Sequence, residues 1–207
     1  MEKVKLVPPQ RKGSGTGAQR NIHANTRHDA ILLFSAAKKR LLGINSWEQL
    51  CGEGSASFHL TDEQGNEIQS VPQVGNLIRI GLRGSENESG NSSEWVRIEA
   101  FEDEKDLLKD LEIFGFRVRP VPSPTGNNTE EAHHYTDQAT NTFLVVRSAN
   151  IVTAAEKGRN EKINLKPSSF WNKVRNILIG TASKIGLANP QWDRLVKGLL
   201  HGPPKKD

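Results

Sequence analysis

The sequence predicts an α+β protein: a curved seven-stranded antiparallel sheet gripping a C-terminal helix, with two short helices after the first strand. Three observations carry this. Seven segments repeat with period two, the pattern of strands with one buried and one wet face. Polar turns and loops, such as DEQGN, SENESGNSS, SPTGNNTEE and SAN, separate them. One C-terminal stretch, Ser168 to Pro204, has a helical period and an apolar stripe for such a sheet to cover.

Each element has its own local signal. Around NIHANT, Ile22 and Ala24 share one face of a short first strand. HDAILLFSAAKKRLL follows as a helix, with Asp29 at its start and Gly43 past its end. Its apolar stripe comprises Ile31, Phe34, Leu41 and Leu42, widened by Leu32, Leu33 and Ala37. In SWEQL, Ser46 and Gln49 have capping-box spacing for a short second helix. The period then becomes two. Phe58 and Leu60 alternate with polar neighbours in SASFHLTD, and NLIRIGL sets Ile78, Ile80 and Leu82 against Leu77, Arg79 and Gly81. EWVRIEAF places Val96, Ile98 and Ala100 on one side, and Trp95, Arg97, Glu99 and Phe101 on the other. Phe114, Phe116 and Val118 do likewise in LEIFGFRVRPVP, and the turn SAN joins TFLVVR to IVTAAEKGRNEK.

The C-terminal stretch divides in two. Ser168 or Ser169 caps a helix with Phe170, Trp171, Val174, Ile177, Leu178, Ala182 and Ile185 on one face, and Gly186 stops it. Asn189 caps a second helix with Pro190 in its favoured first position and a stripe of Trp192, Leu195, Val196 and Leu199. Gly202 and Pro203 end it. The tryptophans lie on the apolar stripes and the charges elsewhere, as burial against a sheet requires.

The 207 residues, 35% hydrophobic and 25% charged, suit one domain with tails. Residues 1–20 contain PP, GSGTG and scattered charge without periodicity, so the expectation is a disordered basic tail, then a single domain over 21–202 and a second tail over 203–207. Gly13, Gly15 and Gly17 do not make a phosphate loop, because no strand precedes them and no Lys-Ser/Thr pair follows. No apolar run approaches the roughly 20 residues of a membrane span. Cys51 is the one cysteine, so no internal disulfide forms, and a reducing compartment, most simply the cytoplasm, is expected. Its expected role is a small half-buried residue after a helix.

Charge is uneven. Residues 1–28 carry six Lys or Arg against Glu2, and residues 162–207 carry nine against Asp193 and Asp207, so the net +4 hides an acidic middle. The alternative function is an interaction module whose basic tail and C-terminal helices bind a protein, a nucleic acid or an anionic membrane, and such ends equally suit docking on the protein's own acidic centre. The tail residues Arg11, Lys12, Arg20 and Arg27 are the candidates for weak phosphate contacts.

The order strand, two helices, six antiparallel strands and C-terminal helix resembles the START-like (SRPBCC, helix-grip) superfamily from about Ile22 to His201. NIHANTRHDAILLF looks like its first strand and helix, VGNLIRIGL and EWVRIEAF like neighbouring strands, and Ser168 to Ile185 like its long gripping helix. The break GLANPQ and the basic tail depart from the family pattern. The resemblance implies a small hydrophobic ligand held between sheet and helix, and it includes cyclases, hydrolases and chaperone cofactors. Phe58, Ile80, Ile98, Phe116, Val118 and Trp171 are the expected lining residues of a cavity of about 300–1,000 Å³. A core fully packed by the same side chains is the alternative.

No catalytic signature accompanies this. EEAHHYTD is the densest polar cluster, but His133 and His134 point to opposite faces if it is a strand, and no third ligand has metal-site spacing, so no metal or other cofactor is expected. Arg159 and Glu161 in GRNE are two apart and hence on one strand face, where they can anchor an anion and act as a base. A surface ion pair worth about 0–1 kcal/mol is the competing reading. There is no GxSxG elbow and no activated nucleophile. The expectation is non-catalytic binding, with His134, Arg159 and Glu161 the residues to test for any activity.

Overall fold

The computed structural model describes residues 4–11, 14–81, 93–124, 139–161 and 190–204. Strand β1 (Ser14–His23) leads into helix α1 (Arg27–Leu42), and a 3-10 turn (Ile44–Ser46) leads into the short α2 (Trp47–Cys51). Six strands follow: β2 (Ser57–Thr61), β3 (Leu77–Gly81), β4 (Ser93–Asp106), β5 (Leu111–Val121), β6 (Thr140–Ser148) and β7 (Ile151–Glu161). Helix α3 (Pro190–His201) comes last among the described elements. The strands form one open sheet in the order β1-β7-β6-β5-β4-β3-β2, antiparallel throughout. The α+β class, the seven antiparallel strands and the positions of the described helices agree with the sequence prediction. The helix expected over 168–185, with Trp171, lies outside the described residues, as do His133 and His134.

The sheet's curvature follows from contacts across it. β2 and β6 are four strands apart, roughly 19 Å in a flat sheet at the usual strand spacing. Yet Phe58 on β2 and Phe143 on β6 lie 5.4 and 5.0 Å from the ring of Trp47, and 6.1 and 5.2 Å from that of Trp192. A flat sheet cannot bring both strands to the same rings. The face that carries α1, α2 and α3 is therefore the inner, concave one.

Three local expectations change. Helix α1 begins at Arg27, not Asp29: the Thr26 hydroxyl accepts from the Asp29 N–H at 3.0 Å and donates to its carboxylate at 2.7 Å. Thr26 is thus the cap and Asp29 its first-turn partner. Ser46 precedes α2 but makes no side-chain capping bond. On α1 the buried stripe is Ala30, Phe34, Ala37 and Leu41, and Leu32 is 55% exposed.

The larger corrections are at β1 and β4. Residues 14–20, expected within a disordered tail, are strand, paired with β7 from Ser14 opposite Glu161 to His23 opposite Ile151. Small residues permit this close approach: a Cβ on Gly17 would stand 2.8 Å from the Glu156 carbonyl oxygen. Upstream, Leu6 is buried against Leu144 and Ala155 on the outer face, so residues 4–11 form a strap there. On β4 a bulge at Glu99 breaks the alternation, since Ile98 pairs with Val118 but Ala100 with Arg117. Beyond it Phe101 turns to the inner core and Ala100 to the outer cluster, the reverse of the expected faces.

Candidate ligand-binding face

Pairing places residues opposite one another on a common face, so the inner face resolves into rows. Phe101, Phe116, Phe143, Glu156 and Ala18 make one row across β4, β5, β6, β7 and β1. Ile98, Val118, Asn141, Gly158 and Thr16 make the next. Phe58, Ile80, Ile98, Phe116 and Val118, the described residues expected to line a cavity, are all buried in one apolar cluster on this face. Trp171 lies outside the described residues.

Trp47 stands at the centre of that cluster. Its ring stacks on Phe116 with centroids 6.0 Å apart, and its indole N–H donates to the carbonyls of Arg40 and Leu41 at 3.3 and 3.2 Å. Aromatic pairs at such separations add about 0.5–1.5 kcal/mol each beyond burial. Helix α3 closes the face from above through Trp192, Leu195, Val196 and Leu199, the stripe expected of it. At its first turn, the buried Gln191 side-chain carbonyl accepts from the Ala56 N–H at 3.3 Å, while its amide donates to Cys51 Sγ at 3.2 Å. Burial pushes the Cys51 thiol up to about 12, so it is protonated at neutral pH.

Polar groups enter this face at few points. Glu156 is fully buried at the end of the phenylalanine row. Asn141 is 1% exposed, and its side-chain oxygen accepts no hydrogen bond among the described residues. Its neighbours in the row, Val118 and Gly158, have no side-chain donor. Neither Trp47, Phe143 nor Asn141 stood out in the sequence. All of β6 from Thr140 to Val145 is buried, so no wet face reveals which side chains point inward.

The described charged candidate, Arg159, stands elsewhere. Arg159 shares its face with Lys157 and Ala155, the outer one, so it does not meet the inner-face residues. Asn160 has a φ of 56°, which ends the regular alternation of β7 after Arg159, and the Glu161 side chain lies outside the described residues. His134 lies outside the described residues. Two of the basic residues near the N-terminus have carboxylate partners within the chain. Arg20 pairs with Asp193 of α3 at 2.9 Å and Arg27 with Asp110 at 2.7 Å. No described helix is long and apolar enough to cross a membrane.

No protein-family model matches the chain, and no curated protein matches it. Among solved structures it is similar to major latex-like protein 151 from Panax ginseng. The identity is 13%, the likeness covers 79% of this chain and 91% of that one, and the TM-score is 0.24.

Proposed function

We propose that the inner face binds a small, largely apolar ligand with one polar end, without catalysis, between the curved sheet and the C-terminal helices. The observation that carries this reading is Asn141. A buried carbonyl oxygen left without a donor costs about 1–3 kcal/mol. Here it lies in a row with Ile98 and Val118, beside Phe116 and Phe143. A ligand hydroxyl meeting Asn141, with an aliphatic or aromatic body against Phe58, Ile80 and Phe116, satisfies both the oxygen and the apolar wall. Trp171 belongs to the same proposal as the residue that covers the ligand from the helix side.

Native mass spectrometry of protein purified from its own host, followed by extraction of bound molecules, tests this. The expected result is a reproducible lipid-like or aromatic adduct carrying a hydroxyl, lost on Trp171→Ala and weakened at least tenfold by Asn141→Leu. An empty protein in which Asn141→Leu only raises stability would replace the reading with a packed core.

A further inference from the structure

The outer face of the sheet carries a second constellation. Arg117, Thr142 and Lys157 pair across β5, β6 and β7, and one step along, Thr140 pairs with Arg159 while Arg119 follows Val118 on β5. Each threonine thus lies between cations from the strands on either side. Arg97, opposite Arg119 on β4, extends the group. One carboxylate, Glu99, answers both Arg117 and Arg119. Lys157 hydrogen-bonds the Gln19 side chain at 2.9 Å and Arg159 the Gly158 carbonyl at 2.8 Å, and neither has a carboxylate partner among the described residues. Burial, and then the nearby Arg159, lower the Lys157 pKa from its ordinary value.

Both threonines are buried, at 2% and 0% exposure, and neither hydroxyl has a hydrogen-bond partner among the described residues. The N-terminal strap spans these rows without bonding either threonine hydroxyl. Leu6 is anchored one row before, on Leu144 and Ala155, and its carbonyl accepts from Arg117 at 3.3 Å. Just past the second row, Asn160 donates to the Pro9 carbonyl at 3.4 Å and its side-chain oxygen accepts from the Arg11 N–H at 2.7 Å. Between these anchors come Pro8 and Pro9, which have no N–H to offer. Two buried hydroxyls that the overlying segment leaves without a partner, set among several cations, have the chemistry of an oxyanion site.

We propose that the outer face of β5, β6 and β7 binds a phosphate group, free or as a small monoester, between the Thr140 and Thr142 hydroxyls and the cations Arg117, Lys157 and Arg159. The hydroxyls donate to two phosphate oxygens and the cations neutralise its charge, while the strap shifts to admit it. This site is separate from the inner face and stands whether or not that face holds a ligand.

Titration calorimetry of the full chain at constant ionic strength, with inorganic phosphate and with glycerol phosphate, tests the site. Saturable binding is expected, with a matching rise in the thermal midpoint. A monoester that binds at least tenfold tighter identifies an organic phosphate as the ligand, and equal affinities identify the free anion. Thr140→Val with Thr142→Val should weaken binding at least tenfold while leaving the unliganded protein equally or more stable, because no internal bond is lost. Lys157→Gln, at a partly exposed position, should weaken it severalfold. No saturable binding of either compound, or affinity unchanged in the threonine double variant, would overturn the proposal.

Discussion

Adding one methyl group at Gly198 sets two effects of opposite sign against each other. Gly198 lies inside α3, where replacing glycine by alanine ordinarily stabilises a helix by about 1 kcal/mol. Its α-carbon, however, faces α2. A Cβ there would stand 2.4 Å from the Leu50 carbonyl oxygen, 2.8 Å from Leu50 Cβ and 2.9 Å from its carbonyl carbon. Two of these are backbone atoms, which no rotamer change can clear, so α2 and α3 must separate by roughly 1 Å to restore ordinary contact distances. Overpacking of this kind costs about 1–3 kcal/mol. The cost belongs in the upper half of that range, because α2 also carries Trp47 into the aromatic cluster. Gly198→Ala should therefore destabilise by about 1–2 kcal/mol net, lowering the thermal midpoint by roughly 2–8 °C for a chain of this size. Scanning calorimetry with a parallel urea titration measures it. A midpoint raised by the alanine would mean that helix propensity governs the position, and would refute the close packing of α2 on α3.

Trp47→Ala should destabilise by about 3–5 kcal/mol, since it removes a buried ring touching Phe58, Phe116 and Phe143. A loss below 1 kcal/mol in urea titration would contradict its central place. Asp110 provides a pH signature. The Arg27 guanidinium, and then Arg147, hold its carboxyl well below the usual aspartate range. A folded-state value below the unfolded one means that the native state holds the proton less tightly. The contribution is thus fully present above about pH 3.9 and is lost as the pH falls below it. Asp110→Asn should lower stability at pH 7 and flatten the acid limb of the stability profile; parallel profiles for the two proteins would count against this ion network.

The N-terminal region shows where local pattern stops informing. GSGTGAQR has neither alternation nor apolar content, and its composition suits a linker. It forms a strand because β7 offers an unpaired edge and because glycine lets the two backbones approach, as at Gly17. Strand formation there is a property of the partner. The inner-face residues illustrate the opposite case. Phe58, Ile80, Ile98, Phe116 and Val118 could be chosen from alternation alone, because each strand that bears them has polar neighbours marking the other face. Phe143 and Asn141 could not, because β6 is covered on both sides. The face of Arg159 is not legible in the sequence for a related reason. Its face depends on which sheet neighbours it joins, and these come from the pairing with β6 and β1.

Hydrophobic periodicity by itself determined the class of this protein, its antiparallel strands from β2 to β7, and the extent and buried stripe of α3, since a side chain's direction along one element follows from the backbone repeat. Its curvature, the inward turn of Phe101 after the Glu99 bulge, the convergence of Trp47 and Trp192 on strands four positions apart, and the threonines set between cations were decided only in the tertiary structure. Each of these depends on register between segments distant in the chain, and register is chosen by the burial and hydrogen bonding of the whole sheet.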